Sequence, residues 1–258
     1  MFTDRYPNFH RGRILKTEML ESLRDYPRSL AGLLWTEYSD GIVVGAEIRT
    51  DGDVLVVSRG IVKWGDRLYT LEEDIRVPYE ANGRETAVKL RFHEPVTRSD
   101  IVYCETQIVA DPDVAIRRDE LELARFKLKE GARLRLDYTS FEDMTTEYNT
   151  LNLIHRQHIG RKRHTLSPAV TRYFATELLK SGTTDPYDVS FAMQCLNGST
   201  VDRELIELYA ANRLRSDRKP YDNAQLHRML GRILDEAGAG VRTRPDMRLG
   251  GARRVLVD

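Results

Sequence analysis

Three histidines lie in and just before the basic stretch GRKRH. They are His155, His158 and His164, and imidazoles at such short spacing could bind a transition metal. A metal shell would need carboxylates or thiolates to complete it, and the nearest acidic candidate, Glu147, is two helical turns away. We therefore predict no metal site, and we interpret the cluster as the basic end of a helix with His155 or His158 half packed.

Nucleophilic and acid–base chemistry has no organised motif either. No serine lies in a Gly-x-Ser-x-Gly elbow with a histidine placed as a base, and this holds for Ser39, Ser58, Ser140 and Ser190. Asp143 and Glu147 lie near a predicted helix start, where acidic groups complement the dipole without catalysis. No loop ends in Gly-Lys-Ser/Thr, and GIVVGAEIRTDG lacks the third glycine of a dinucleotide loop. The sequence predicts no catalytic residue and no cofactor.

The charges of the chain balance. Its 258 residues carry 40 basic and 40 acidic side chains, so no overall field attracts nucleic acid or an anionic membrane. GRKRH lacks the interleaved aromatics that stack on bases. The apolar runs are far shorter than the roughly 20 residues of a membrane span, and the first residues lack the apolar core of a signal peptide. We expect synthesis in the cytoplasm, no nucleic-acid partner and no membrane partner.

The two cysteines, Cys104 and Cys195, are far apart in the sequence. One lies in a strand-like segment and the other in a helix-like segment. This arrangement predicts buried thiols rather than a disulfide framework or a zinc site.

The elements that would position any site change in type along the chain. Apolar residues at helical spacing over residues 14–26 predict a helix that ends at Pro27 and packs beside a sheet. After residue 35 the hydrophobic period falls to two, and Asp-Gly and Gly-Asp pairs supply tight turns. The pattern predicts an antiparallel β-domain with strands at residues 42–48, 54–57, 60–64, 67–71, 87–92 and 101–109.

The middle segment, residues 117–136, fits two structures. Its leucines and Phe126 fit strand alternation with a break near residues 124–125, and they fit equally an amphipathic helix interrupted by Gly131. We favour two strands paired about Gly131 and keep the helix as the alternative.

Helical patterns dominate from about residue 143. Ser167-Pro168 and Asp185-Pro186 each place a capping side chain before a proline, which is typical of a helix start. The first of these helices is predicted to end at Gly182 and the second at residues 197–198. Two more amphipathic helices are predicted at residues 201–214 and 223–238, the last ended by Gly238. Together they predict a small helical bundle over residues 143–237.

These patterns predict an α+β protein in three parts. Residues 1–140 form an antiparallel β-rich domain with the N-terminal helix, residues 141–237 a helical domain, and residues 238–258 an extended, flexible C-terminal arm. The arm has too few apolar groups to fold alone. It is either a frayed terminus or a segment that orders on a neighbouring subunit. In the second interpretation its partner-binding residues are Arg242, Arg244, Arg248, Arg253, Arg254, Val255, Leu256 and Val257.

The order of several segments gives the chain a resemblance to a known group of proteins. RGRILKTEMLESLRDYP, YSDGIVVGAEI, VSRGIVKWGDRLYTL, LARFKLKEGARLR and TEYNTLNLI, followed by a helical part, resemble structural proteins encoded among baseplate genes of contractile-tailed prophages and R-type bacteriocins of Gram-positive bacteria. The resemblance covers most of the chain and is weakest in the arm. The DGIVVG and GIV hairpin pattern also resembles the attachment portions of many phage tail fibres and baseplate adaptors.

The resemblance implies a structural part of a contractile injection machine. Such a part is present in several symmetric copies and binds other baseplate and tail proteins, with a receptor-binding fibre as a further partner. Two alternatives stay open at this stage. One is a wall-degrading enzyme of the same tail, which would need a catalytic acid in a cleft. The other is a nucleic-acid-binding protein, which would use GRKRH and the arginines of the arm.

Overall fold

The computed structural model describes residues 3, 4, 6–198, 200–217 and 219–242, with only the backbone described for residues 240–242. It confirms an α+β protein that begins with a helix, continues in antiparallel sheets and ends in helices. The helices are α1 (Thr17–Leu34), a 3₁₀ turn (Glu142–Thr145), α2 (Pro168–Lys180), α3 (Pro186–Asn197), α4 (Arg203–Arg213) and α5 (Asn223–Arg242). The strands are β1 (Gly41–Gly45), β2 (Ile48–Asp51), β3 (Val54–Val57), β4 (Gly60–Trp64), β5 (Arg67–Leu71), β6 (Ile75–Pro78), β7 (Glu85–Phe92), β8 (Val96–Arg98), β9 (Ile101–Tyr103), β10 (Thr106–Asp111) and β11 (Glu120–Lys127).

The strands form three small sheets and a separate hairpin. The sheets have the orders β1-β4-β5, β2-β3-β6 and β10-β7-β11, all antiparallel, and β8 pairs with β9. Two predicted glycine turns are confirmed, with Gly52 (φ 60°) between β2 and β3 and Gly65 (φ 57°) between β4 and β5. The predicted strand 42–48 is divided between two sheets, because Gly45 and Ala46 have positive φ and turn the chain.

Two apolar clusters form the core. The first lies among the sheets, where Trp64 stacks on Phe92 with ring centroids 4.2 Å apart. The second lies among α2–α5, where Phe191 stacks on Tyr209 at 3.8 Å. The starts of α2 and α3 confirm the sequence prediction, because Ser167 and Asp185 each accept a hydrogen bond from the second backbone N–H of the helix.

An irregular segment, residues 149–165, joins the sheets to the helices. Over residues 157–161 it lies along β1, where Ile42 N–H donates to Gln157 O (3.0 Å) and Ile159 N–H donates to Ile42 O (3.1 Å). Gly41 permits this approach, since a Cβ there would lie 2.9 Å from the backbone of His158. We call this contact between β1 and residues 157–161 the seam. Upstream residues of the segment bridge to β11 and to Arg135.

The predicted bounds of the first helix and the predicted end of the last helix are wrong. The first helix was predicted over residues 14–26, but α1 starts at Thr17 and continues through Pro27 to Leu34. Proline removes one donor, and the helix tolerates this loss because the following residues regain their own hydrogen bonds. The last helix passes Gly238 and continues to Arg242, because Gly238 keeps a negative φ there. A glycine inside a helix costs only about 1 kcal/mol relative to alanine.

The middle segment is a strand, as favoured, but its predicted pairing is wrong. β11 pairs with β7, with a register shift between Glu122 and Ala124 close to the predicted break. After Gly131 the rest of this segment, residues 132–136, forms no strand, and its only bridge joins Arg135 to Thr150. The predicted strand 101–109 is also divided, into β9 and β10. The pairing of β11 and the division into β9 and β10 both depend on which strands lie next to them, and sequence alternation does not identify those neighbours.

The helices of the bundle begin later than predicted. The pattern placed them from about residue 143, but only the 3₁₀ turn precedes α2, and residues 149–165 form an irregular segment with isolated bridges, a turn at residues 154–155 and a bend at residues 162–163. Leu151 and Leu153 of this segment belong to the apolar cluster of the sheets, whereas Ile154 belongs to that of the helices. The division into separate domains stays a prediction.

Candidate assembly surfaces

The histidine cluster does not lie at a helix end, so that interpretation was wrong. His155 is half-buried as expected, His164 is half-buried, and His158 is buried in the seam. Burial and the neighbouring Arg156 lower the pKa of His158 to about 3. Its Nε2 has no hydrogen-bond partner among the described residues. No group of histidine, cysteine, aspartate and glutamate in the described part of the chain has the arrangement of a metal site.

Arg156 is the buried residue that sequence reasoning missed. Its guanidinium donates to Ala46 O (2.7 Å), Gly45 O (3.2 Å) and the Glu47 carboxylate (3.2 Å), so it caps the turn between β1 and β2. Burial lowers the pKa of its guanidinium, although Glu47 opposes this effect. The sequence signal for a buried arginine is its position within the stretch LNLIHRQHI, where it lies among apolar residues.

An open cleft of about 790 Å³ lies between the sheets and the helices. It brings Ser39 together with His155 and His164, whereas the sequence analysis considered the serine apart from the histidine cluster. The Ser39 hydroxyl donates to Asp40 O (3.1 Å) and accepts from the backbone N–H of Gly160 (3.3 Å). Within the described chain, no serine hydroxyl is hydrogen-bonded to a histidine. The cleft therefore holds nucleophile and base types without the contact that would activate them.

Asp143, the acid near the 3₁₀ turn, is fully engaged. It forms a bidentate pair with Arg135 (2.7 and 2.6 Å) and accepts from the backbone of Thr139 and the hydroxyl of Thr146 (both 2.8 Å). These donors, Arg135 first, hold the pKa of its carboxyl well below the ordinary range. A carboxylate saturated in this way positions the chain and has no free lone pair for a substrate proton. Glu147 is exposed and pairs with Lys127 at 2.6 Å.

A second charged cluster lies on β7, β10 and β11. Lys89 and Glu120 are buried and paired at 3.0 Å, and Arg91 also pairs with Glu120 and with Asp111. Burial alone would raise the pKa of Glu120. The backbone N–H of Arg117 and the side chains of Arg91 and Lys89 reverse that effect and lower it to about 2. We call these four residues, Lys89, Arg91, Asp111 and Glu120, the β-ladder.

The apolar face of α1 is the largest exposed apolar feature of the described chain. The helix lies beside β5, yet no residue of α1 is buried. Its polar side chains occupy the opposite side at helical spacing. Six large apolar side chains of the helix are each 45–77% exposed: Leu20, Leu23, Tyr26, Leu30, Leu33 and Leu34. A helix with a well-formed apolar face normally covers that face, so α1 has the character of an interface.

The hairpin β8–β9 is a second exposed apolar feature. Val96, Ile101 and Val102 are each about half exposed, and Tyr103 lies under the guanidinium of Arg98 at 5.2 Å. A two-stranded hairpin is marginally stable in water by itself. Its exposed side chains therefore offer a further contact surface.

The eight arm residues predicted to bind a partner are not tested by the structure. Arg242 is the last residue of α5, and its side chain is not described. The other seven, from Arg244 to Val257, lie outside the described residues. Among the helices that are described, none is long and apolar enough to cross a membrane.

The chain has weak likenesses to known structures. No protein-family model and no curated protein sequence matches it. It is similar to the crystal structure of TssK, with a TM-score of 0.44 and 9% identity, over 93% of this chain and 72% of that chain. It is also similar to a chain of the TssK-TssF-TssG baseplate subcomplex of a type VI secretion system, seen by cryo-electron microscopy. There the TM-score is 0.42 with 10% identity, over 90% of this chain and 100% of that chain. Scores and identities this low establish neither a shared fold nor a shared function.

Proposed function

We propose that the chain is a structural component of a contractile tail baseplate, in a phage tail or an R-type bacteriocin. In this role it joins other baseplate proteins, is present in several symmetric copies and has a receptor-binding fibre as a further partner. The sequence resemblance to baseplate proteins supports the proposal. The observation that carries it is the apolar face of α1, which the described residues of the chain leave uncovered.

The exposed area of this face suits an assembly contact. The six apolar side chains of α1 leave on the order of 600 Å² accessible, the upper end of what a monomer tolerates in one patch. A specific interface buries about 800 Å² on each partner. One helix thus supplies most of a standard contact. The surrounding charged residues keep the free chain soluble before assembly.

A wall-degrading enzyme is the less supported candidate. The cleft lacks a serine–histidine contact within the described chain, and Asp143 is engaged by Arg135 and two threonines. The acids that line the cleft are already engaged in the described chain: Asp40 accepts from the backbone N–H of Gly65, Glu122 pairs with Arg125, and Asp222 accepts from the backbone N–H of Gln225. These observations favour a structural role.

The test is incorporation into tail particles. Replacing Leu23 and Leu30 by aspartate should block incorporation, because it places two charges in the centre of the α1 face. The isolated protein should keep its melting temperature, because both side chains are already about half exposed in the free chain. Thr17→Asp with Arg28→Asp, on the exposed polar side of the same helix, is the matched control.

Electron microscopy and protein analysis of purified particles give the readout. Particles that contain the Leu23→Asp, Leu30→Asp protein at the normal level would show that the α1 face is not an assembly contact. Normal particles made after deletion of the whole reading frame would refute the structural role itself.

A further inference from the structure

A narrow apolar slot opens between the free edges of two sheets. Its walls are Tyr69 and Leu71 of β5 and Ile108 of β10, and Ile75 of β6, 39% exposed, lies at its mouth. Its floor consists of the buried side chains of Val62, Leu90 and Leu123. The slot therefore reaches into the apolar core of the sheets from outside.

Both strands that border the slot have an unpaired edge. β5 pairs with β4 and β10 pairs with β7, and neither has a second partner strand in the described part of the chain. No backbone hydrogen bond from residues 67–71 or 106–111 to a loop replaces the missing strand among the described residues. A strand edge beside an apolar slot is the arrangement that accepts an added strand.

The size of the slot suits one aliphatic side chain. Its volume is about 60 Å³, equal to roughly four or five water-sized groups. A leucine side chain has four carbon atoms beyond Cα. An added strand inserts alternate residues, so one leucine flanked by residues that point away would fill the slot.

Two unpaired acids lie beside the slot. Glu72 and Glu73 follow β5 directly, both are exposed, and neither has an ion-pair partner among the described residues. Asp74, the next acid, is already paired with Arg49 at 2.5 Å. The site thus selects an apolar strand that carries positive charge next to it.

We infer that this slot binds residues 253–257, RRVLV, of a second copy of the chain, with Leu256 in the slot and Arg253 and Arg254 facing Glu72 and Glu73. The match is one of pattern: two arginines precede three β-branched or aliphatic residues of which the central one is leucine. The inference rests on the proposed function, because several symmetric copies are what the exchange would join. A head-to-tail exchange of this kind closes into a ring when the rotation between copies allows it.

The reach of the segment is sufficient. Residues 243–258 follow the last described residue of α5, and 16 residues span at most about 50 Å when extended. This length exceeds the roughly 30 Å of a 20-residue helix, the scale of a small domain. A neighbouring copy is therefore within reach.

Disulfide trapping in the full chain tests the inference. One copy carries Ile75→Cys and a differently tagged copy carries Leu256→Cys. Both carry Cys104→Ser, because Cys104 is half-exposed, contrary to the buried thiol that the sequence predicted there, whereas Cys195 is buried as predicted. Mixed oxidation should give a covalent heterodimer, because a docked Leu256 brings the two Cα atoms within disulfide range. Met193→Cys on α3, similarly exposed at 48%, replaces Ile75→Cys in the control and should cross-link about tenfold more slowly.

Charge exchange separates this contact from chance collision. Glu72→Arg with Glu73→Arg in the first copy should slow cross-linking about fivefold, and Arg253→Glu with Arg254→Glu in the second should restore it. A third variant carries both Ile75→Cys and Leu256→Cys in one chain, and cross-linking of this variant only within itself, at a rate independent of protein concentration, would replace the second copy by the same chain and overturn the inference. Equal rates at Ile75 and Met193, or no rescue by charge exchange, would overturn it as well. These measurements use purified protein, whereas the proposed function is tested by incorporation into particles. A negative cross-linking result would therefore overturn the strand exchange without deciding the proposed function.

Discussion

Lys89 and Glu120 show how single charged residues are used in this chain. Both are buried on β7 and β11, and each is satisfied by the other and by neighbours of the β-ladder. Breaking one partner of a buried pair leaves an uncompensated charge, which is strongly destabilising. Removing either Lys89 or Glu120 should therefore destabilise the sheet of β7, β10 and β11.

The β-ladder predicts a specific dependence of stability on pH. The pKa of Glu120 is lowered to about 2 in the folded chain, so its contribution is complete above the unfolded value near 4.5. The contribution is lost as the pH falls from about 5 to 2, and its full size is on the order of 3 kcal/mol. Urea unfolding at several pH values should show this loss in the natural sequence.

Glu120→Gln should remove that part of the acid dependence and lower the free energy of unfolding at pH 7. Glu147→Gln is the control, because Glu147 is exposed and an ion pair on the surface, such as its pair with Lys127, contributes little to stability. An unchanged acid profile in Glu120→Gln would show that another group of the β-ladder carries the effect.

At the scale of single residues, the sequence predicted the helix caps correctly but did not predict the buried charged residues. Ser167 and Asp185 each accept a hydrogen bond from a backbone N–H two residues further along the chain, so their capping role can be predicted from the neighbouring residues in the sequence. Glu120 and Arg91 are 29 residues apart, and Arg156 contacts Gly45 and Ala46 across more than 100 residues. Such partners are defined only once strand order is known.

Among the elements, the seam is where the sheets and helices depend on one another. Gly41→Ala should lower the free energy of unfolding by about 2–4 kcal/mol, because the new Cβ would lie 2.9 Å from the backbone at His158 and Ile159. Backbone at that distance cannot move aside as a flexible side chain would. Chemical denaturation measures the change.

The matched control is Gly231→Ala in α5. A Cβ there meets only ordinary contacts, at 3.7 Å from Phe141 and 3.9 Å from Glu142. Alanine is favoured over glycine in a helix by about 1 kcal/mol, so this variant should be slightly more stable. Equal destabilisation of both variants would contradict the close approach at the seam.

The order and type of elements were largely predictable, but their partners were not. Alternation identified most strands, and the turns at Gly52 and Gly65 were read from adjacent residues. β6 was missed because it has only four residues and ends in proline. The extent of α1 was missed because a proline is a strong but not absolute end signal, and its exposed face was not a sequence-level expectation.

For the whole molecule, the shared segment 149–165 predicts where the chain can be cut. We propose that the β-rich part needs residues up to about 162, beyond the predicted boundary at 140. Leu151 is fully buried with the sheets, and residues 157–161 cover the edge of β1. A fragment of residues 36–162 should thus unfold cooperatively in urea, whereas a fragment of residues 36–140 should not.

Amide hydrogen exchange of the two fragments gives an independent readout. Protection of the β1 and β11 amides should be present in the longer fragment and lost in the shorter one. Equal protection in both would place the domain boundary at residue 140, as the sequence pattern first indicated.

The seam also has a mechanical consequence. Two backbone hydrogen bonds, donated by Ile42 and Ile159, cross the seam side by side, and a third, from Ser39 to Gly160, lies just before β1. A pull along β1 loads the bonds of Ile42 and Ile159 together in shear, whereas a pull across β1 breaks them one after the other. In the proposed baseplate role, the direction in which α1 and the helices are held would decide whether the seam resists an applied force or separates.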